Sequence, residues 1–360
     1  MNHDHGVIAR YREHMPVSKD TLAVSLNEGS TPLVYSPKLS DKVGRKCQVF
    51  VKYEGLNPTG SFKDRGMTMA ITNAAERGVK AVICASTGNT SASAAAYAAR
   101  ANMDCIVLLP AGKIAKGKLA QALIYGAKVI EIDGNFDDAL RLVRELGKMD
   151  GFEVVNSINP YRIEGQKSAS FEIIDELGQA PDIHVLPVGN AGNITAYWKG
   201  YNEYYRLGKC RSLPKMAGFQ AAGSAPLYHG APISQPETIA TAIRIGNPAS
   251  WDGAMSAIKE SGGRLDIVTD KQILDAQRWL ASNEGLFVEP ASAASIAGLF
   301  KCLGDNSYED CPFATVPEGS LVVCTVTGHG LKDSEIILQA DMPIMKAGAN
   351  KAQILHQLGF

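Results

Sequence analysis

The chain has 360 residues, 45% hydrophobic and 20% charged, and its 36 Lys and Arg against 37 Asp and Glu leave a net charge of −1. That length accommodates two domains with separate cores, and the balanced charge offers no basic field to a nucleic acid or an anionic membrane surface. No stretch of about 18 apolar residues reads as a membrane span, and Met1-Asn-His-Asp-His-Gly6 has no signal-peptide pattern.

The seven cysteines (Cys47, Cys84, Cys105, Cys210, Cys302, Cys311 and Cys324) include no CxxC pair. A zinc ribbon is therefore not expected, and no metal is assigned. An odd number of thiols in apolar settings such as Ala81–Ala85 points to a reducing, cytoplasmic environment.

Along the chain the first chemical signal is Asn57-Pro-Thr-Gly-Ser-Phe-Lys-Asp-Arg-Gly66, a turn followed by a helix that carries Lys63 in its first turn. A cation is disfavoured at a helix N-terminus, so a neutral amine is favoured there, and an easily neutralised lysine suits Schiff-base chemistry. Ser61 and Asp64 have the spacing of a capping box, with Asp in place of the longer Glu. From Lys80 to about Gly218 the apolar runs 81–85, 105–109, 129–132, 154–156, 183–188 and 216–221 read as strands. They alternate with helical patterns over 91–101, 116–125, 136–146, 163–177 and 194–207. The alternation predicts βαβ units, hence an α/β fold with parallel sheets flanked by helices. Crossings near Gly55–Gly60 and Asn156 predict a smaller domain over 57–150 and a larger one over 1–56 and 151–360, with the active site in the cleft between them. Residues 246–253 read as a loop, 321–325 as a further strand and 351–358 as a short helix.

Ligands in such folds sit beyond the carboxyl ends of strands, and four strand ends here are polar. Ala85-Ser-Thr-Gly-Asn-Thr-Ser91 precedes an alanine-rich helix and offers Ser86, Thr87, Asn89 and Thr90 to a carboxylate or phosphate, although the same residues also suit an ordinary capped turn. Gly189-Asn190-Ala191-Gly192-Asn193 permits close backbone approach at a helix start, which suits a phosphate, and it is not a GxGxxG fingerprint. Asn156 and Ser157 end another strand and Arg162 follows shortly; arginine suits bidentate recognition of phosphate or carboxylate, although a surface arginine at a helix start fits the pattern too. Thr327 closes the 321–325 strand, and His329 between glycines reads as a turn residue. Gly112-Lys-Ile-Ala-Lys-Gly-Lys118 has P-loop spacing, but Leu119 stands where the magnesium-binding Ser or Thr belongs, so it is set aside.

A candidate Schiff-base lysine with a Gly-Asn phosphate cradle on an α/β scaffold implies pyridoxal phosphate. The chain resembles the threonine synthases, within the tryptophan-synthase-β-like group (fold type II) of pyridoxal-phosphate enzymes. The resemblance rests on Ser25–Leu33, Val51–Gly66, Ser86–Ser93, Gly189–Asn193, Thr241–Pro248 and Thr327–Asp333, which occur in the expected order across nearly the whole chain. Asn27 departs from the family, which usually has Gly there. The resemblance implies that Lys63 binds the cofactor covalently and then acts as the main acid and base. It also implies that Phe62 sits beside the ring, Asn89 meets the ring hydroxyl, Gly189–Asn193 hold the phosphate and Thr327 bonds the pyridine nitrogen. Ser86, Thr87, Asn89 and Thr90 would hold the substrate carboxylate side, with Asn156, Ser157 and Arg162 near the substrate phosphate. The implied reaction, the last step of threonine biosynthesis, takes O-phospho-L-homoserine and water to L-threonine and phosphate, in a homodimer. The rival readings are a threonine or serine dehydratase-type lyase of the same group and, from another class, a non-catalytic small-molecule binding protein.

Overall fold

A computed structural model describes residues 6–44, 46–111, 116–304, 317–334, 346–347 and 349–358. Ten strands among these residues form two sheets. The smaller sheet contains β3 (Ala81–Ala85), β4 (Asp104–Pro110), β5 (Lys128–Ile132) and β6 (Phe152–Val154), in the order β5-β4-β3-β6. All its pairings are parallel. The larger sheet contains β1 (Leu33–Tyr35), β2 (Gln48–Tyr53), β7 (Ile183–Pro187), β8 (Lys215–Ala221), β9 (Arg264–Val268) and β10 (Leu321–Val326), in the order β1-β2-β10-β7-β8-β9. Only β1 runs antiparallel to its neighbour.

Both faces of each sheet are covered, as parallel strands require. β3 and β7 are buried along their whole length, which is why they read as unbroken apolar runs. On one face of the smaller sheet, Val82, Cys84, Val107 and Leu109 pack against Met67, Ala70, Ile71 and Ala74 of the helix Lys63–Glu76. Ile83, Ala85 and Leu108 on the other face meet Ala139 and Val143 of the helix Phe136–Leu146. In the larger sheet, Val185, Phe219 and Cys324 belong to a core with the helices Asp270–Glu284 and Pro290–Gly304. Leu186 and Val323 face the opposite core with Ser168–Leu177 and Gly192–Arg206. Burying each large aliphatic side chain is worth about 1.5–3 kcal/mol, so these four clusters supply the main drive for folding.

Strand order defines where a crevice opens. In the smaller sheet the chain proceeds from β3 to β4 and β5 on one side, and β6 lies on the other. In the larger sheet β8 and β9 lie on one side of β7 and β10 on the other. Each arrangement is a topological switch point, where connections leave in opposite directions and a ligand can enter. The loops after β3 and β6 flank the first, and those after β7 and β10 flank the second.

The structure departs from the sequence reading in several places, among them β1, β2 and the helices Asp270–Glu284 and Pro290–Gly304, which the reading did not include. The pattern over 163–177 is two helices, Pro160–Gln166 and Ser168–Leu177, which meet at Lys167. The final residues of the 246–253 stretch already belong to the helix Trp251–Glu260. β9 is an additional strand whose Arg264 and Asp266 mask an apolar pattern. β6 ends at Val154, short of Asn156. The P-loop-like stretch falls mainly on 112–115, outside the described residues. Asn27 adopts φ 61°, the left-handed conformation in which Asn is the usual substitute for Gly, so the turn survives the exchange.

Candidate active site

Lys63 is the first residue of its helix and follows Phe62 with no side-chain cap. The anticipated capping box does not form. Asp64 instead turns back and accepts from Thr59 N at 2.7 Å, Thr59 Oγ1 at 2.6 Å and Ser93 Oγ at 2.6 Å, leaving Ser61 Oγ buried without a partner. Those three donors fix a carboxyl whose pKa burial pushes up to about 6. The turn is tied to the larger sheet: Phe62 N donates to Thr327 O at 3.0 Å, and Ser61 pairs with Gly328 as an isolated bridge. The amine and the end of β10 are therefore held together through the backbone.

Burial is the largest cause that lowers the Lys63 pKa to about 7, the Arg162 cation adds to it, and Glu289 opposes it. The amine lies 4.0 Å from the Phe62 ring centroid. It opens on a cavity lined also by Asn89, Ser157, Arg162, Gln166, Gly189–Asn193, Ile243, Glu289 and Thr327. All four loops anticipated from the strand ends thus contribute to one cavity.

The loop after β7 turns sharply at Ala191, at φ 65°, and enters the helix Gly192–Arg206. A side chain at Gly189 would lie 2.8 Å from Ile243 Cα, so only glycine lets these segments approach. Asn190 donates from Nδ2 to Ser157 Oγ at 2.8 Å and accepts from Ala249 N at 2.6 Å, which clamps the loop between its neighbours. Thr327 Oγ1 shares a hydrogen bond of 2.9 Å with Ser292 Oγ. Arg162 is buried; Nη1 donates to Val155 O at 3.1 Å while Nε has no partner, and among the described residues no carboxylate pairs with it. Burial lowers its pKa to about 10.

Ser86 and Thr87, in the loop after β3, and Thr90, in the first turn of the helix Asn89–Arg100, are half-buried but lie outside the lining. Asn156 lies outside it as well: its Nδ2 donates to Ala85 O at 3.0 Å and its Oδ1 accepts from Ala85 N at 3.1 Å, extending the β3–β6 ladder by one side-chain rung. His329 Nδ1 accepts from Leu331 N at 3.2 Å, a turn contact. Two polar lining residues were not anticipated. Gln166 is buried with no partner for Oε1, and Glu289 accepts from Asn89 Nδ2 at 3.1 Å and 3.0 Å. The legible sign of Glu289 was a carboxylate between apolar Val288 and a proline-led helix, Pro290–Gly304.

The cavity wall carries the groups that pyridoxal phosphate requires. Asn193 Nδ2 is a buried donor there with no partner among the described residues, and the helix Gly192–Arg206 begins beside it. Together they suit an anionic group. A lysine with a depressed pKa beside them suits an aldehyde. The residues fit the group.

Comparison with known proteins agrees with this chemistry. Residues 24–328 match the family described as pyridoxal-phosphate dependent enzyme. The chain aligns over 93% of its length with the structure of maize serine racemase (97% of that chain, TM-score 0.75, 20% identity). It aligns over 86% with the structure of the processed form of threonine deaminase isoform 2 from Solanum lycopersicum (82% of that chain, TM-score 0.71, 21% identity). At these identities the structures speak for the fold alone. The chain belongs to the pyridoxal-phosphate-dependent enzymes of this fold, and pyridoxal phosphate is its cofactor. Its sequence is 60% identical to the threonine synthase of Synechocystis sp. (95% of this chain, 87% of that protein) and 58% identical to that of Mycobacterium tuberculosis (98% and 96%). It is 53% identical to that of Methanocaldococcus jannaschii (92% and 82%). Within the class, it is a member of the threonine synthase family.

Proposed function

We propose that the protein converts O-phospho-L-homoserine and water into L-threonine and phosphate, with its active site in the cleft between a smaller domain over 57–150 and a larger one over 1–56 and 151–360. The observation that carries the reading to a phosphate ester is Arg162, a buried guanidinium that no carboxylate among the described residues pairs with, on the cavity that holds Lys63. A substrate lacking a phosphate would leave that cation uncompensated, which is costly in a buried site.

Lys63, Gly189–Asn193, Asn89, Phe62 and Thr327 would hold the cofactor, which when bound supplies an electron sink for the carbon next to the amino group. The reaction needs proton removal at Cα and then at Cβ, loss of phosphate from Cγ and addition of water at Cβ. Lys63 is our choice for the proton transfers at Cα and Cβ, because its amine is accessible to the cavity and half neutral near pH 7. Arg162 and Ser157 would bind the phosphate and stabilise its departure. Ser86, Thr87 and Thr90 would meet the substrate carboxylate from the loop around Asn89, and Asn156 would hold that loop through Ala85. A homodimer and a cytoplasmic setting belong to the same reading. The buried thiols Cys84, Cys105 and Cys324, with pKa values raised by burial, agree with a reducing environment.

The test is incubation of the protein and pyridoxal phosphate with O-phospho-L-homoserine, measuring phosphate and threonine together. Equal yields, abolished in Lys63→Ala, are expected. Arg162→Ala removes charge-assisted bonds worth about 1.5–3 kcal/mol, so KM should rise roughly ten- to a hundredfold. Phosphate accompanied by a keto acid, or deamination of threonine or serine without phosphohomoserine turnover, would refute the proposed reaction.

A further inference from the structure

Glu289 is a buried carboxylate on the cavity wall to which the reaction as outlined gives no task. It immediately precedes the helix Pro290–Gly304, where the N-terminal backbone favours negative charge. Its own N–H donates to Gly328 O at 3.0 Å, next to Thr327. The opposite position is glycine for a steric reason: a Cβ on Gly328 would stand 2.4 Å from Glu289 Oε1. The chain therefore makes room for this carboxylate between the end of β10 and the loop after β3. Its hydrogen-bond donor there is the Asn89 amide, at 3.1 Å and 3.0 Å. Only the nitrogen of that amide can donate to a carboxylate, so the contact also decides which way Asn89 faces.

We propose that Glu289 is a positioning residue of the active site: it fixes the Asn89 amide and sets a negative charge against Lys63, so that the lysine nitrogen keeps its proton when joined to the cofactor. The inference rests on the pyridoxal-phosphate reading of the cavity. The charges around it are of both signs. Lys63 faces Glu289 from its helix, and Lys332 and Asp333 face it from the turn Gly330–Asp333. Arg162 faces Lys63 from the helix Pro160–Gln166 and works in the opposite direction, driving the proton off. Within this set Glu289 is the acidic group that attracts the Lys63 proton, while Arg162 repels it. Burial raises the Glu289 pKa, and the Asn89 bond and Lys332 act against that rise.

Two substitutions separate the charge from the reach. Glu289→Gln has nearly the same shape and can still accept from Asn89 but carries no charge. Glu289→Asp keeps the charge and withdraws it by one methylene. Each protein, loaded with pyridoxal phosphate, is titrated by its visible absorption band, and cofactor dissociation is followed by loss of that band after dilution. Without the negative charge the proton leaves at lower pH. The E289Q midpoint should therefore fall by about one pH unit, a tenfold loss of proton affinity, while dissociation changes little. E289D should keep a midpoint near that of the wild type and release the cofactor severalfold faster, because Asn89 is no longer held. An E289Q midpoint equal to the wild type overturns the proposal. If E289Q does not fold, E289D decides alone, and a dissociation rate equal to the wild type overturns it. A wild-type protein with no visible band dependent on Lys63 would instead overturn the cofactor reading itself.

Discussion

An ordinary lysine amine is protonated at neutral pH and cannot attack a carbonyl. Lys63 escapes that limit because its helix start is pressed between two sheets and faces Arg162, which bring its pKa to about 7. The sign is favourable to chemistry: below pH 7 the cation dominates and is inert, and above it the amine is free. The rate at which the cofactor-free protein gains its visible band on addition of pyridoxal phosphate should therefore rise about tenfold per pH unit below 7 and level off above it. A stopped-flow pH series checks this; a rate still climbing towards pH 10 would mean an ordinary lysine. At this scale the sequence was informative wherever a residue type is chemically unusual for its position, as with Lys63, Arg162 and the Gly189–Asn193 loop. It was silent where the assignment depends on a partner distant in the chain. Glu289 meets Asn89 across 200 residues, and Asn156 spends its amide on Ala85, a commitment no local pattern displays.

Among the elements, the pair Lys63–Glu76 and Pro160–Gln166 sets the spacing of the site, since one carries Lys63 and the other Arg162. They touch through small residues. A Cβ on Gly165 would lie 1.8 Å from Arg65 O, a clash with backbone that no rotamer can relieve. Gly165→Ala should push these helices apart and destabilise the fold by about 1–3 kcal/mol or more, visible as a lower urea midpoint, with weakened cofactor retention as the second reading. The strands and helices between Lys80 and Gly218 were legible in advance because burial on both faces writes them as apolar runs alternating with helical periods. β1, with three residues, and β9, with two charged residues, carry too little of that signal. The Ser61–Asp64 cap failed for a related reason: Thr59 and Ser93 offered Asp64 better donors than the helix backbone did.

Over the whole molecule, the site is braced by a buried charge network two residues beyond the lysine. Arg65 donates to Glu54 at 2.6 and 2.8 Å and to Glu172 at 2.8 and 2.6 Å, and Lys52 donates to Glu172 at 2.7 Å. Two cations balance two carboxylates, Thr31 and Ser30 bring in the N-terminal segment, and Ser168 adds a second contact from the helix of Glu172. The network holds the Glu172 pKa well below the usual range. Its stabilisation is present above the ordinary glutamate pKa of about 4.3 and is lost as pH falls below it towards the depressed folded value. Arg65→Met should leave a buried carboxylate without its cation and cost about 3–5 kcal/mol, measured by urea unfolding at pH 7; a change below about 1 kcal/mol would mean the network is dispensable. The turn Ser61–Phe62 has a mechanical consequence of its own. It is hydrogen-bonded to Thr327 and Gly328, while the body of the Lys63 helix is packed into the smaller sheet. Lys63 therefore sits beside the join between the two sheets, and any rotation of the smaller sheet about that turn would displace it less than the Glu76 end of its own helix.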